Sequence, residues 1–313
     1  MKKGNPGKTQ EKSTLMKVLS CWQLYVLMIP ALVWLILFCY KPMYGVLIAF
    51  KDFKARDGIM ASPWADPIWK YFDQFFSTSI AVTAIKNTII LSLEQLVINF
   101  PIPIIFALLL NQVKNNKARK FVQTVSYAPY FLSNVILVSV MNLLFGANGV
   151  VNALITGATG GSPVQFTSAA EYFRTMYIGS TVWQSMGFNA IVYIAALAGI
   201  SPDFYEAAVV DGATKLQRIF YIDIPLIMPT VILMLILAIG QIMGLGYEKA
   251  YLMQTGTNTT VSEIINTYTY KVGLQGAQYS FATAVGLFNS VVNFIILVLA
   301  NFVSKKTADV SIF

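Results

Sequence analysis

Six apolar stretches, roughly residues 22–41, 80–111, 121–145, 176–199, 226–246 and 279–303, constrain this chain more than any other feature. A helix crosses the hydrocarbon core of a membrane with about 20 predominantly apolar residues. Charged residues make up only 12% of the sequence and hydrophobic residues 56%. Soluble domains carry about 25% charged residues. The expected fold class is therefore an all-α polytopic membrane protein with six transmembrane helices. Pro101 and Pro103 fall inside the second stretch and Pro129 inside the third, so kinks are expected there.

Basic residues set an expected orientation. With the N-terminus in the cytoplasm, the cytoplasmic segments hold Lys2, Lys3, Lys8, Lys12, Lys17, Lys114, Lys117, Arg119, Lys120, Lys215, Arg218, Lys305 and Lys306, thirteen in all. The other side holds Lys41, Lys51, Lys54, Arg56, Lys70, Arg174, Lys249 and Lys271, eight in all and spread over longer segments. The positive-inside rule then places both termini in the cytoplasm of a multi-pass plasma-membrane protein. The first apolar stretch lacks a small-residue cleavage signature and reads as a retained span. The chain divides into a cytoplasmic segment (1–21), a first span with an outer aromatic-rich segment (22–79), a five-helix core (80–304) and a tail (305–313). Trp64, Trp69, Tyr71, Phe72, Phe75 and Phe76 of the outer segment read as an aromatic belt at the interface.

Several functions are disfavoured at once. The chain has no histidine, which removes His-based metal sites and His general bases. Cys21 and Cys39 flank one apolar stretch, too far apart in a helix to pair. No basic stretch with interleaved aromatics suggests nucleic acid. No phosphate-binding loop of the form GxxxxGK[ST] occurs, so the chain is not expected to hydrolyse nucleotides, and no metal site is expected.

The polar connection between the fourth and fifth stretches, EAAVVDGATKLQRIFYIDIPLIMP, carries the most information. Ser201 reads as an N-cap, Pro202 as the first helical residue and Asp203 as a first-turn acid. Gly212 permits a sharp turn before a second short helix, about 213–220. Pro225 and Pro229 set the entry into the next span. Glu206-Ala207-Ala208, Gly212, Ile222, Ile224 and Pro225 reproduce the spacing of the EAA loop of ABC-importer permeases, with isoleucine for the usual leucine at 224. Asp211-Gly212-Ala213 resembles the carbohydrate-importer form. Tyr40-Lys41-Pro42-Met43-Tyr44-Gly45, Phe50-Lys51-Asp52-Phe53 and Gln278-Tyr279-Ser280-Phe281-Ala282-Thr283-Ala284 resemble the LplB-like subgroup. The resemblance implies a type I ABC-importer permease fold in which the loop at 201–225 docks on a separate ATPase. Glu206, Ala207, Ala208, Asp211 and Gly212 would make that coupling surface. It also implies ATP and magnesium on the partner ATPase rather than here, a second related permease in a heterodimer, an extracytoplasmic solute-binding protein and a carbohydrate substrate.

Polar residues within spans mark candidate pathways. Asn134, Gln184, Asn189, Gln241 and Asn289 offer amides, and Trp183, Phe188 and Tyr193 offer aromatic faces, a combination that suits sugars. The resemblance adds Gly244 and points to Asn189 and Gln241 as substrate contacts. Helix–helix hydrogen bonding is the competing role for each amide. Glu94 needs a partner on another helix, and Glu248-Lys249 reads as a solvated pair. An ion-gradient-driven transporter of a small polar solute, with Glu94 as its coupling acid, is the alternative reading. A membrane-embedded enzyme finds no clustered carboxylate or Ser/Lys signature to support it.

Overall fold

The computed structural model describes residues 22–308 and residue 311. The N-terminal lysines and Cys21 lie outside the described residues; Cys39 is exposed and forms no disulfide among the described residues. The described chain is helical, apart from a single antiparallel bridge between Lys51 and Trp64. Among the described residues six helices are long and apolar enough to cross a membrane: Trp22–Phe50, Ser79–Asn111, Asn134–Thr159, Ala170–Ala198, Lys215–Ile239 and Tyr279–Thr307. They are called spans one to six below.

Among the described residues span one has no packing partner until its end. Every residue from Trp22 through Tyr44 is exposed. The segment that follows turns back onto span six. Ser280 Oγ donates to the Lys51 carbonyl at 2.6 Å and accepts from the Phe53 amide at 3.0 Å. The Phe53 and Tyr279 rings meet edge-on at 6.0 Å. Two motifs some 230 residues apart are thus one joint. Beside it Asp52 accepts from Tyr71 at 2.5 Å and from Lys70 at 2.9 Å, and these donors hold its carboxyl below the usual range.

Three buried clusters hold the bundle. At the end bearing residues 201–223, Ala107, Leu108, Ala190, Tyr193, Leu197, Ile219 and Ile227 join spans two, four and five. At the opposite end Leu91, Leu137, Met141, Phe173, Tyr177, Leu245 and Ile264 join spans two to four to the segment after span five. Phe75, Ala81, Ala84, Met243, Ile265, Phe281 and Val285 form the third. Phe75 is therefore core rather than interfacial belt: it is 1% exposed and stacks near Tyr268, Phe281 and Phe288.

Two spans differ from the sequence reading, for one physical reason. The third apolar stretch is not one helix. Helix Asn116–Tyr127 ends, Ala128–Phe131 forms a 3-10 turn at Pro129, and a new helix starts at Asn134. Span five ends at Ile239, and residues 240–246 turn back on themselves although they are apolar. Non-helical backbone at membrane depth survives only where protein satisfies it. Gln184 Nε2 donates to the Leu132 carbonyl at 2.9 Å, and Ser133 caps the helix that follows. Asn289 Nδ2 donates to the Met243 carbonyl at 2.9 Å, Asn293 Oδ1 accepts from the Met243 amide at 3.2 Å, and Asn266 donates to the Leu245 carbonyl. Amides that a sequence reading assigns to a pathway here replace lost helical bonds.

Candidate functional site: an exposed hairpin and a polar cavity

The hairpin forms as its residues dictate. Helix Pro202–Val210 starts with Ser201 accepting from the Asp203 amide and Pro202 at the first position. It closes on Gly212, whose φ of 75° lies in the left-handed region. Ala213 N donates to the Ala208 carbonyl at 2.8 Å and Gly212 N to the Val209 carbonyl at 3.1 Å, which is a Schellman closure. Thr214 and Gln217 then form a capping box that starts helix Lys215–Arg218. Glu206, Ala207, Asp211 and Gly212 are exposed and Ala208 is half-buried. The hairpin also presents Phe204, Val210, Leu216 and Tyr221 outward, with Val210 87% exposed. An apolar patch rimmed by charge marks an interaction surface.

The root of the hairpin is buried. Asp223, fully buried, accepts from Tyr205 Oη at 2.6 Å and from Gln112 Nε2 at 3.2 Å. These three residues tie the hairpin to the ends of spans two and five. Burial, and then the bond to Asp223, pushes the Tyr205 phenol up to about 12. Asp223 lies between Ile222 and Ile224 of the EAA spacing, and sequence reasoning passed over it. An acid two residues before a proline at the mouth of an apolar span was the available signal.

A cavity of about 390 Å³ opens between spans two, four and five, and Phe188, Asn189, Tyr193 and Gln241 all line it. Ser92, Gln95 and Asn99 of span two line it as well. The Ser92 hydroxyl and both amide atoms of Asn99 are buried with no hydrogen-bond partner among the described residues. Phe188 stacks on Tyr130 with ring centroids 3.8 Å apart and planes 4° from parallel. Tyr130 and Asn99 were not singled out from sequence; Tyr130 sits in the turn that Pro129 creates. Gly244 lies against the Gln241 side chain, where a Cβ would come within 2.7 Å of Oε1. The other candidates fall elsewhere. Trp183 lines a separate, mostly apolar cleft of about 330 Å³ with Leu137 and Met141. Asn134 donates to Glu248 at 2.6 Å, and Gln184 and Asn289 serve the helix breaks. Glu94 is paired with Arg174 of span four at 3.6 Å.

Glu248 and Lys249 are not a pair. Glu248 is exposed toward Asn134, whereas Lys249 is 6% exposed and donates to Thr181 Oγ1 at 2.6 Å and the Tyr177 carbonyl at 3.1 Å. Adjacent residues of a helix point about 100° apart, so neighbours in sequence need not face each other.

The described chain is thus a helical membrane bundle with an exposed hairpin at one end and an amide-and-aromatic cavity within. Residues 99–309 match the model of the binding-protein-dependent transport system inner membrane component, and the chain belongs to that family. It is 39% identical over 307 residues to the polygalacturonan/rhamnogalacturonan transport system permease protein YteP of Bacillus subtilis (strain 168), covering 98% of this chain and 95% of YteP. It is 41% identical over 284 residues to the protein LplB of the same organism, covering 90% and 88%. A chain in the crystal structure of a bacterial ABC transporter that imports the acidic polysaccharide alginate superposes with a TM-score of 0.86 at 37% identity, covering 95% of this chain and all of that one. The molecule is thus a multi-pass inner membrane component of a binding-protein-dependent transport system.

Proposed function

We propose that this chain forms half of the translocation pathway of an ATP-driven oligosaccharide importer and takes its power stroke through the hairpin at 201–225. The observation that carries this reading is the exposed helix-turn-helix bearing Glu206, Ala207, Ala208, Asp211 and Gly212 at the family's spacing. Its closing turn leaves an apolar face free, and Glu206 makes no hydrogen bond or ion pair among the described residues. A separate ATPase, carrying the ATP and magnesium, docks there. A second related permease completes the pathway, and a solute-binding protein delivers sugar at the opposite end. In this reading both termini lie on the ATPase side. The chain itself catalyses nothing. The cavity suits a sugar: its amides meet hydroxyls, and the Phe188 and Tyr193 rings offer aromatic surface to apolar C–H groups. The polygalacturonan and alginate systems among its relatives support a saccharide that carries acidic units. Glu94 has in Arg174 the partner on another helix that an acid with a structural role needs.

The test replaces Glu206 and Gly212 in the assembled transporter and measures ATPase co-purification and ATP-dependent uptake. Both are expected to drop. Unchanged association and uptake in both variants would remove the coupling assignment. Uptake by this chain alone, driven by a proton gradient and indifferent to ATP, would establish the alternative.

A further inference from the structure

The side chains that line the cavity among the described residues are all neutral, yet a lysine without a carboxylate partner stands directly behind one wall. Lys249, in helix Tyr247–Leu252, reaches Thr181, and Thr181 itself lines the cavity. The ammonium lies 4.8 Å from the centroid of the Tyr177 ring. Among the described residues no carboxylate stands within ion-pair distance of it, while Glu94–Arg174 and Glu263–Lys271 are each internally neutral. A buried ammonium without a counter-charge is strongly disfavoured. Burial accordingly pushes Lys249 down to about 7.

A merely structural role does not call for a charge at this place. The Tyr177 carbonyl already accepts from Thr181 Oγ1 at 2.8 Å and from Ser180 Oγ at 3.0 Å. The lysine therefore rescues no orphaned group. What it adds is a positive potential, little screened by water, at the wall of a sugar-sized cavity. A carboxylate arriving in that cavity would supply the missing counter-charge, and a neutral sugar would not.

We propose that Lys249 is a specificity-determining residue whose charge, acting across the wall at Thr181, makes the cavity favour saccharides with uronic-acid units over neutral ones. The proposal rests on reading the cavity as the path of an oligosaccharide. Its chemistry is a difference of affinities between an anion and its neutral counterpart in one pocket.

The experiment uses the full transporter in proteoliposomes with its binding protein. It compares ATP-dependent uptake of trigalacturonate with that of its methyl ester, whose carboxylates are masked. Lys249→Met is expected to lower the acid-to-ester uptake ratio at least tenfold, and Lys249→Arg to keep it within about threefold of wild type. Lys249→Gln, which keeps N–H donors without charge, should behave as methionine does. Because every permease variant works with the same binding protein, that protein's own preference cancels from the comparison. A ratio unchanged by methionine, or methionine tolerated better than arginine, overturns the proposal. So does failure of both neutral variants to assemble, which would make the lysine a structural post. If wild type carries neither oligosaccharide with ATP, the oligosaccharide reading itself falls; if it carries the acid and only the ratio fails to shift, Lys249 alone loses its role.

Discussion

Removal of one hydroxyl tests whether the exposed hairpin is a rigid lever. Tyr205→Phe keeps the ring but deletes the 2.6 Å bond to Asp223, a carboxylate with no exposed surface. Gln112, at 3.2 Å, then remains as its one hydrogen-bond donor among the described residues. A hydrogen bond to a charged group contributes about 1.5–3 kcal/mol. At about 1.4 kcal/mol per factor of ten, the local opening of the hairpin should rise roughly 10- to 150-fold. Amide hydrogen exchange read by mass spectrometry over residues 202–212 of the assembled transporter reports that opening, with span six as the internal reference. The ATP hydrolysed per sugar imported should rise as well, since a loosened lever passes on less of each stroke. The phenol has a folded-state value of about 12, above the ordinary 10, so its contribution is fully present below pH 10 and lost as pH climbs through 12. The gap between variant and wild type should therefore stay constant from pH 6 to 9. Exchange within twofold of wild type at 202–212, or an equal rise across the whole chain, would refute the argument that this contact holds the hairpin.

Three further outcomes follow from the geometry. Asn99→Leu removes two buried amide atoms that lack partners; at about 1–3 kcal/mol per unmet group the transporter should melt at higher temperature while sugar uptake falls, and a lower melting temperature would count against the amide as a strained ligand site. Gly187→Ala would place a Cβ 2.2 Å from the Ser126 carbonyl oxygen, a backbone atom that cannot swing aside, so a loss of about 1–3 kcal/mol is expected in thermal unfolding, against almost none for Gly286→Ala, which meets open space. Uronate uptake should weaken as pH rises through about 7, where free Lys249 loses its proton; Lys249 faces Tyr177 and Thr181 of span four, with Glu248 beside it turned to Asn134, and Lys249→Arg should flatten the profile if the lysine is the group that titrates.

Much of the hairpin was legible because its signals are local. Ser201, Pro202 and Gly212 act through bonds within a few residues, and each takes the expected place as cap, first helical residue and turn. The cavity was half legible. Phe188, Asn189, Tyr193 and Gln241 could be named as polar or aromatic residues in apolar spans, and they share one cavity. Nothing in the sequence separates them from Gln184 and Asn289, which carry the same amide but face broken backbone instead. Asn99 carried the same signal, an amide inside the second apolar stretch, and was passed over.

Sequence alone determined that the chain spans a membrane, how many times it can, and where its polar hairpin falls. Those properties depend on the length of apolar runs and on local backbone preferences, both readable residue by residue. The tertiary structure decided where the helices break, which amides repair the breaks and which line a cavity, and that Lys249 turns inward beside an outward Glu248. It also decided that Ser280 meets Lys51 and Phe53 across some 230 residues. Those outcomes depend on which helix face meets which neighbour. In an apolar span nearly every face is hydrophobic, so pattern cannot tell lipid from protein, and only packing assigns the partners.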